Sequence, residues 1–521
     1  MSDNQNDARK SLQIICSLIE KHGGIKRLAK LFKTKEHGYL YDSGTGKILC
    51  CNPDEFSFFS WLFHNASCYS FEDLSNCIDN DNLDNLLENV LETITRENLL
   101  QMPFITQFLS PDHKERLEDV VDKELRMITL EMTEKCNLRC GYCIYNESYT
   151  DNRDFSTCEI NQETVKAAID MLCKHSGDDV AVCFYGGEPL LKFDLIKYAV
   201  EYSQKIMKNK KLSFSITTNL TLLTREIAEF FASTDGFSVL CSIDGPEYIQ
   251  NQYRKYPNGE GSFDAAIKGL RNLAEAYDEK RFLSSVGLSM VFAPPYTKKK
   301  IIDIQEFFDR FPWLPKGIDK SITYPQPGSV SDEVLETGNI ANLEVNEVSG
   351  SLLDWTSKKL VTDSKTDDVF TGKYINDYLL RVHNRPISDK PFQPYGFNGC
   401  CVPGNRRLYI CADGTIKPCE RMGSCPSIGN VFTGINTDYV KKHFVNDFEN
   451  GSISDCNNCW AFHICGVCYT HSYTEHGFDI DKKRIQCSYS KETIFNTMTL
   501  YHELLENGDE VLTHLNNIRT S

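Results

Sequence analysis

From about residue 126 the chain alternates short apolar runs with longer amphipathic stretches. The runs predict strands over Met127–Met132, Val180–Tyr185, Leu212–Thr217, Phe237–Ser242, Ser284–Phe292 and Ser321–Tyr324. The stretches between them predict helices over Gln162–His175, Phe193–Lys208, Arg225–Ser233, Phe263–Asp278 and Thr297–Arg310. Strands alternating with helices in this way predict βα units around a parallel sheet. Residues 1–120 follow another pattern. Leu12 to Phe32 reads as helical with a break at Gly23-Gly24, and Gly38 to Cys51 reads as two strands around a turn at Ser43–Gly46. Phe56–His64 and Asp81–Glu97 read as helices, which makes a small α+β unit. Residues 331–395 are polar and mostly helical by pattern, with no recognisable chemistry, and read as a bridge. Lys491–Glu506 reads as a terminal helix.

A chain of 521 residues exceeds one ordinary core, so two to four domains are expected. It contains no apolar run of about eighteen residues, which predicts no membrane span. Met1–Asp7 has neither the basic start nor the apolar core of a signal peptide, so a cytoplasmic protein is expected. The net charge of −17 argues against nonspecific nucleic-acid binding, which needs a basic surface. The 22 cysteines change the picture most. In a long chain without an export signal they point to metal or redox chemistry rather than to disulfides. Ten fall into two ligand-like regions, 136–143 and 401–487; most of the others read as small buried hydrophobes.

Cys136, Cys140 and Cys143 stand in the spacing C-x3-C-x2-C, with Tyr142 just before the last. Three thiolates on one loop can hold three irons of a [4Fe–4S] cluster, which normally takes four cysteines, and leave one iron open. The alternatives are buried free thiols or a zinc site short of a ligand. The run Glu131–Cys143 resembles the signature of the radical S-adenosylmethionine (SAM) enzymes, in which the open iron chelates SAM and cluster reduction yields a 5′-deoxyadenosyl radical. The resemblance implies a partial (β/α)6 TIM-type barrel over 126–330, with its chemistry in the loops after the strands. It also implies cofactor contacts. Phe184-Tyr-Gly-Gly-Glu-Pro189 resembles the family's GGE motif, placing Gly186, Gly187 and Glu188 at the methionyl end of SAM. The stretch Ser242-Ile-Asp-Gly…Arg254…Gly259-Glu-Gly-Ser-Phe263 resembles that of sulfatase and peptide maturases, assigning Ser242 to the ribose and Arg254 to the carboxylate. Thr218-Asn219 and Tyr142 are further cofactor-binding candidates; a strand end capping a turn is the other reading of Thr218-Asn219.

Seven more cysteines follow: Cys401, Cys419, Cys456, Cys459, Cys465, Cys468 and Cys487. Two C-x2-C pairs alone fit a zinc ribbon, but seven thiols exceed one tetrahedral site and fall short of two. Their order resembles the SPASM domain of radical SAM maturases, expected here over 396–490 with 491–521 as a C-terminal helix. That likeness implies Cys401, Cys419 and Cys468 on one auxiliary [4Fe–4S] cluster, and Cys456, Cys459, Cys465 and Cys487 on a second, so three clusters in all. Cys465-Gly-Val-Cys468 is one residue shorter than the family spacing, and Cys400 rivals Cys401.

The resemblance points to a peptide maturase that installs a crosslink, such as a Cys thioether, in a ribosomally made precursor. Residues 1–120 would then be a winged-helix-like module that takes the precursor's leader as an added strand near Tyr39–Leu49, or else a structural cap. An electron donor such as ferredoxin or flavodoxin is implied. The competing enzyme reading is an anaerobic sulfatase-maturating enzyme, whose base is an Asp at the position of Glu420. Glu420 is therefore the candidate acid/base, with an ion pair to Arg421 as its plain alternative. A zinc-ribbon binding protein is the non-enzyme reading.

Overall fold

The computed structural model describes residues 3–65, 70–78, 83–149, 152–295, 297–326, 328–330, 375–392, 396–508 and 512–517. Near the start, strands β1 (Ala29–Lys33), β2 (Gly38–Asp42) and β3 (Ile48–Cys51) form an antiparallel sheet with β2 in the middle. The expected helix to Phe32 is corrected here. Helix Asp3–Lys21 ends before Gly23 and Gly24, whose φ angles of +89° and +93° break it, and Ala29–Lys33 is a strand. Pairing along the whole of β2, from Ala29↔Asp42 to Lys33↔Gly38, overrides the helical pattern of this segment. Helix Pro53–His64 begins at a capping box in which Asn52 accepts from the Asp54 and Glu55 amides.

All six expected strands of the second part exist. They are β4 (Leu125–Thr133), β5 (Ser176–Gly186), β6 (Lys211–Thr218), β7 (Phe237–Ser242), β8 (Val286–Val291) and β9 (Asp319–Thr323). They are parallel and neighbour one another in chain order. The five expected helices lie between them, ending within two residues of their predicted limits. Alternation sorts the two faces of the sheet. Val182, Phe184, Phe214, Ile216, Val239 and Leu288 are buried in the core. The other face is small, polar and half-open, with Cys183, Ser215, Thr217, Ser289 and the more exposed Ser238 and Leu240.

The cysteine-rich region is part of the same sheet, which the sequence pattern does not anticipate. β10 (Leu408–Ile410) pairs in parallel with β4, and β11 (Thr415–Lys417), β12 (Gly429–Asn430) and β13 (Gly434–Ile435) follow antiparallel, making ten strands. Glu131 of β4 fixes the joint. Its buried carboxylate accepts from Tyr409 Oη at 2.7 Å, the Ala412 amide at 3.1 Å and Arg153 Nε at 2.8 Å. A buried carboxylate matched in this way holds the two regions in register.

The terminal helix starts at Ile480 rather than Lys491, capped by Asp479, and runs to Glu506. Residues 331–374 of the expected bridge lie outside the described residues, as do Asp81 and Asn82; Ile375–His383 is a helix. The N-terminal unit is joined to the cysteine-rich region through its own core. Arg27, 2% exposed, donates to the carbonyls of Asn457, Met102 and His22 at 2.5, 2.6 and 2.8 Å. Ser43 Oγ donates to the Trp460 carbonyl, and the buried Tyr41 packs edge-on against Trp460. No helix among the described residues is long and apolar enough to cross a membrane.

Candidate active site

The loops after the parallel strands meet at one end of the sheet. The loop after β4 carries Cys136, and the Gly-Gly-Glu run after β5 is laced to it. The amide of Gly187 donates to the Thr133 carbonyl at 2.7 Å and that of Glu188 to Lys135 at 2.9 Å. A Cβ at Gly187 would lie 1.9 Å from the Lys135 carbonyl oxygen, and one at Gly186, where φ is +123°, 2.4 Å from that of Thr133. The two glycines are needed because the cysteine loop runs against them. Farther along, the amides of Arg139 and Gly141 donate to the carbonyls of Lys255 and Tyr253 on either side of Arg254. The loop so held brings its three thiols together. Burial first, with mutual repulsion among all three pairs added, pushes Cys136 and Cys140 up to about 12 and Cys143 to about 11.

Glu188 is 1% exposed and fully engaged. One carboxylate oxygen accepts from the Leu190 amide at 3.1 Å and Thr218 Oγ1 at 2.8 Å, the other from the Asn219 amide at 2.8 Å. Asn219 Nδ2 donates to Asn137 Oδ1 at 2.9 Å and points at Cys136 Sγ at 3.8 Å. Thr218-Asn219 therefore braces the glutamate and the cysteine loop together. Burial, partly offset by these hydrogen bonds, raises Glu188 from its ordinary value of 4.5 to about 7. The folded state thus holds this proton more tightly than the unfolded state does. Stability falls as pH rises through the window from 4.5 to about 7 and levels off above it. Glu188→Gln should remove that slope, while facing an amide NH2 against a backbone donor at a cost of about 1–3 kcal/mol. Anaerobic thermal melts of both proteins between pH 5.5 and 8 test this; parallel pH profiles would contradict it.

Asp244 organises the other side, and motif reading gave it no role. It is 1% exposed and accepts from Arg254 Nε at 3.0 Å, the Val291 amide at 3.0 Å and the Tyr142 hydroxyl. Its own amide donates to Gln250 Oε1. Arg254 is buried and lies over the Tyr142 ring. The two cofactor candidates are thus tied to each other through Asp244. Ser242 sits half-buried at the end of β7, paired in register with Ser289. Lys300 was also missed. Its 4%-exposed side chain donates to the Ala293 carbonyl at 2.6 Å, and burial lowers it to about 8 against the pull of Asp244. Lys300 closes a basic run, Lys298–Lys300, and the run carries no sequence signal that one of the three is buried.

Among the C-terminal cysteines, Cys456, Cys459, Cys465 and Cys487 act on one another in every pairing. Burial is the largest cause of the upward shifts of the first three, and the other thiols add to it. Cys419 and Cys468 likewise face each other. Cys401 is exposed, whereas Cys400 is buried beside Cys468 and Cys465. Glu420 pairs with Arg407, whose Nη1 lies 2.8 and 3.0 Å from its two oxygens, and not with the adjacent Arg421. Tyr185, on the half-open face of β5, stands between the two regions. Burial raises it to about 12, and Glu420 and Cys143 both add to the shift.

Residues 130–308 match the sequence profile of the Radical SAM superfamily. The cysteine-type anaerobic sulfatase-maturating enzyme of Clostridium perfringens strain 13 is 32% identical over 344 residues, 63% of this chain and 84% of that enzyme. The chain belongs to the radical SAM superfamily. Radical SAM cyclopropyl synthase TigE of Paramaledivibacter caminithermalis is 27% identical over 374 residues, 68% of this chain and 70% of that one. The fold also matches the solved structure of native anSMEcpe with bound AdoMet and Cp18Cys peptide. That match has a TM-score of 0.52 and 18% identity, over 76% of this chain and 99% of that one. As a radical SAM enzyme the chain uses a [4Fe–4S] cluster and SAM. Among the described residues no three His, Cys, Asp or Glu side chains close in tightly enough for a single ion. A cluster instead takes one thiolate per iron, and the converging thiols of 136, 140 and 143 fit that demand.

Proposed function

We propose that this radical SAM enzyme matures a ribosomally made peptide, joining two of its residues oxidatively, with a Cys thioether as the favoured bond. Cys136, Cys140 and Cys143 would hold the SAM-binding cluster. Cys456, Cys459, Cys465 and Cys487 would hold one auxiliary cluster, and Cys419, Cys468 and Cys401 another, with Cys400 the buried rival for the last place. The bound cluster and SAM together supply a 5′-deoxyadenosyl radical that abstracts hydrogen. Glu188, Ser242 and Arg254 would orient SAM, with Asp244 aiming the guanidinium and Thr218-Asn219 bracing the glutamate.

The observation that carries the peptide reading is the N-terminal sheet. β2 is paired on both sides, so its Tyr39–Asp42 segment cannot accept a strand; the expected docking place narrows to the outer edge of β3, Ile48–Cys51. That edge would take an extended leader by backbone pairing. The half-open polar face of β5–β8 would receive the residues to be joined. A ferredoxin- or flavodoxin-like donor completes the cycle, and a cytoplasmic setting suits it.

Sulfatase maturation is the second reading, favoured by the C. perfringens relative. Against it stands the Arg407–Glu420 pair. A carboxylate held on both oxygens by a guanidinium is a poorer proton acceptor than a free one, and a Glu places it differently from an Asp. Mass spectrometry of a co-expressed Cys-rich precursor decides. The product should be lighter than the precursor by about two hydrogens per crosslink, the stoichiometry of an oxidative bond. Formylglycine, which exchanges sulfur for oxygen, would overturn the proposal.

A further inference from the structure

The helix Ile480–Glu506 presents Cys487 and, four residues earlier, Lys483 on one face. Lys483 is 3% exposed. Its Nζ lies 3.7 Å from Cys456 Sγ and 3.9 Å from Cys487 Sγ, and the Phe448 ring closes over it at 5.6 Å. Among the described residues those two sulfurs are its hydrogen-bond partners; Asp455 acts on it from farther off, but is itself hydrogen-bonded to Arg484 at 2.7 Å. A buried ammonium with no hydrogen-bonded counter-charge is unfavourable, and neutral thiols supply none. Thiolates do. The ammonium is matched directly when the sulfurs carry the negative charge they would have as metal ligands.

The first cysteine loop is built differently. Cys136 Sγ meets the Leu138 amide at 3.4 Å and Asn219 Nδ2 at 3.8 Å, both neutral donors. Arg254 reaches Cys140, but its guanidinium is already matched by the Asp244 carboxylate. Lys483, by contrast, has only ligand sulfurs as hydrogen-bond partners among the described residues.

We propose that Lys483 tunes the auxiliary cluster held by Cys456, Cys459, Cys465 and Cys487, its buried ammonium donating to two ligand sulfurs and raising the cluster's reduction potential. The inference rests on the reading that these four cysteines hold a [4Fe–4S] cluster. Hydrogen bonds to sulfur, net charge and exposure set such potentials. Taking up one electron adds one negative charge to a centre that is already anionic, with no bond made or broken. A fixed positive charge at this distance stabilises the reduced form more than the oxidised one.

The test uses the full-length enzyme, reconstituted without oxygen, with Lys483→Met, Lys483→Gln and Lys483→Arg. Iron and sulfide per chain are counted, and reduction is followed by paramagnetic resonance at controlled potential. The signal that disappears in a Cys456→Ala/Cys487→Ala protein identifies the cluster. Met and Gln should keep the iron and shift that midpoint to more negative potential, while Arg stays near the wild type and the other midpoints do not move. Should Met fail to hold the cluster, the order of Gln below Arg carries the same information. Wild-type midpoints in Met and Gln at full iron content would overturn the role of Lys483 alone. Unchanged iron in the Cys456→Ala/Cys487→Ala protein, or zinc in its place, would overturn the four-cysteine reading and Lys483 with it.

Discussion

Replacing Cys136, Cys140 and Cys143 together by Ala should abolish SAM cleavage and remove about a third of the iron, from about twelve to about eight per chain by cluster stoichiometry. The barrel should survive the change. The loop is held by backbone hydrogen bonds from Gly187, Glu188, Arg139 and Gly141 that do not involve the sulfurs. The three cysteines are small and only partly buried, so Ala leaves little space. Iron and sulfide analysis, with 5′-deoxyadenosine as the product assayed, checks both parts. Residual SAM cleavage in the triple variant would remove this loop from the chemistry. A wild-type protein with about four irons, and zinc for the rest, would leave the first loop assigned and replace both auxiliary clusters with zinc sites.

The barrel was legible because its strands are short runs in which apolar positions recur at alternate residues, as in Lys211–Thr218 and Phe237–Ser242, and its helices repeat their apolar positions with a helical period. Phe237–Ser242 and Gln162–His175 came out with their predicted limits unchanged. β10 to β13 were invisible because two or three residues are too few to carry a period, and their place in the sheet comes from pairing with β4. The start of the last helix was hidden by its composition. Residues 480–490 are largely polar, and Cys487 and Lys483 are turned toward the cysteine cluster rather than toward an apolar core. The N-terminal unit reads as an appendage, yet Arg27 and Ser43 bond to residues more than four hundred positions away. No local pattern contains that information. The same divide runs through the site. Motif residues with fixed spacing were readable, whereas Asp244, Lys300 and Tyr185 draw their importance from what the fold brings beside them.

Arg254→Ala should do more than weaken SAM binding, because the structure makes Arg254 half of a buried ion pair. Its partner Asp244 is 1% exposed and would keep only the Tyr142 hydroxyl and the Val291 amide. Removing one member of a buried pair costs about 3–5 kcal/mol, since the remaining charge loses its hydrogen-bonded partner, and the more distant Lys300 offsets that only in part. The damage should reach the first cluster, because the backbone on either side of Arg254 accepts from the cysteine loop at Arg139 and Gly141. The single variant should therefore melt at lower temperature and load less iron. Arg254→Ala/Asp244→Asn removes both charges, and most of the lost stability and iron should return. SAM affinity should not return with them. A charge-assisted bond to the SAM carboxylate is worth about 1.5–3 kcal/mol, so the double variant should bind SAM about ten- to a hundredfold more weakly than the wild type. Equilibrium binding of SAM, alongside melting and iron analysis of the four proteins in the cycle, separates the two roles. If the double variant binds SAM as the wild type does, Arg254 serves Asp244 and the fold, and another cation must receive the carboxylate. Lys300, buried on the same side and within reach of Asp244, is the residue to change next.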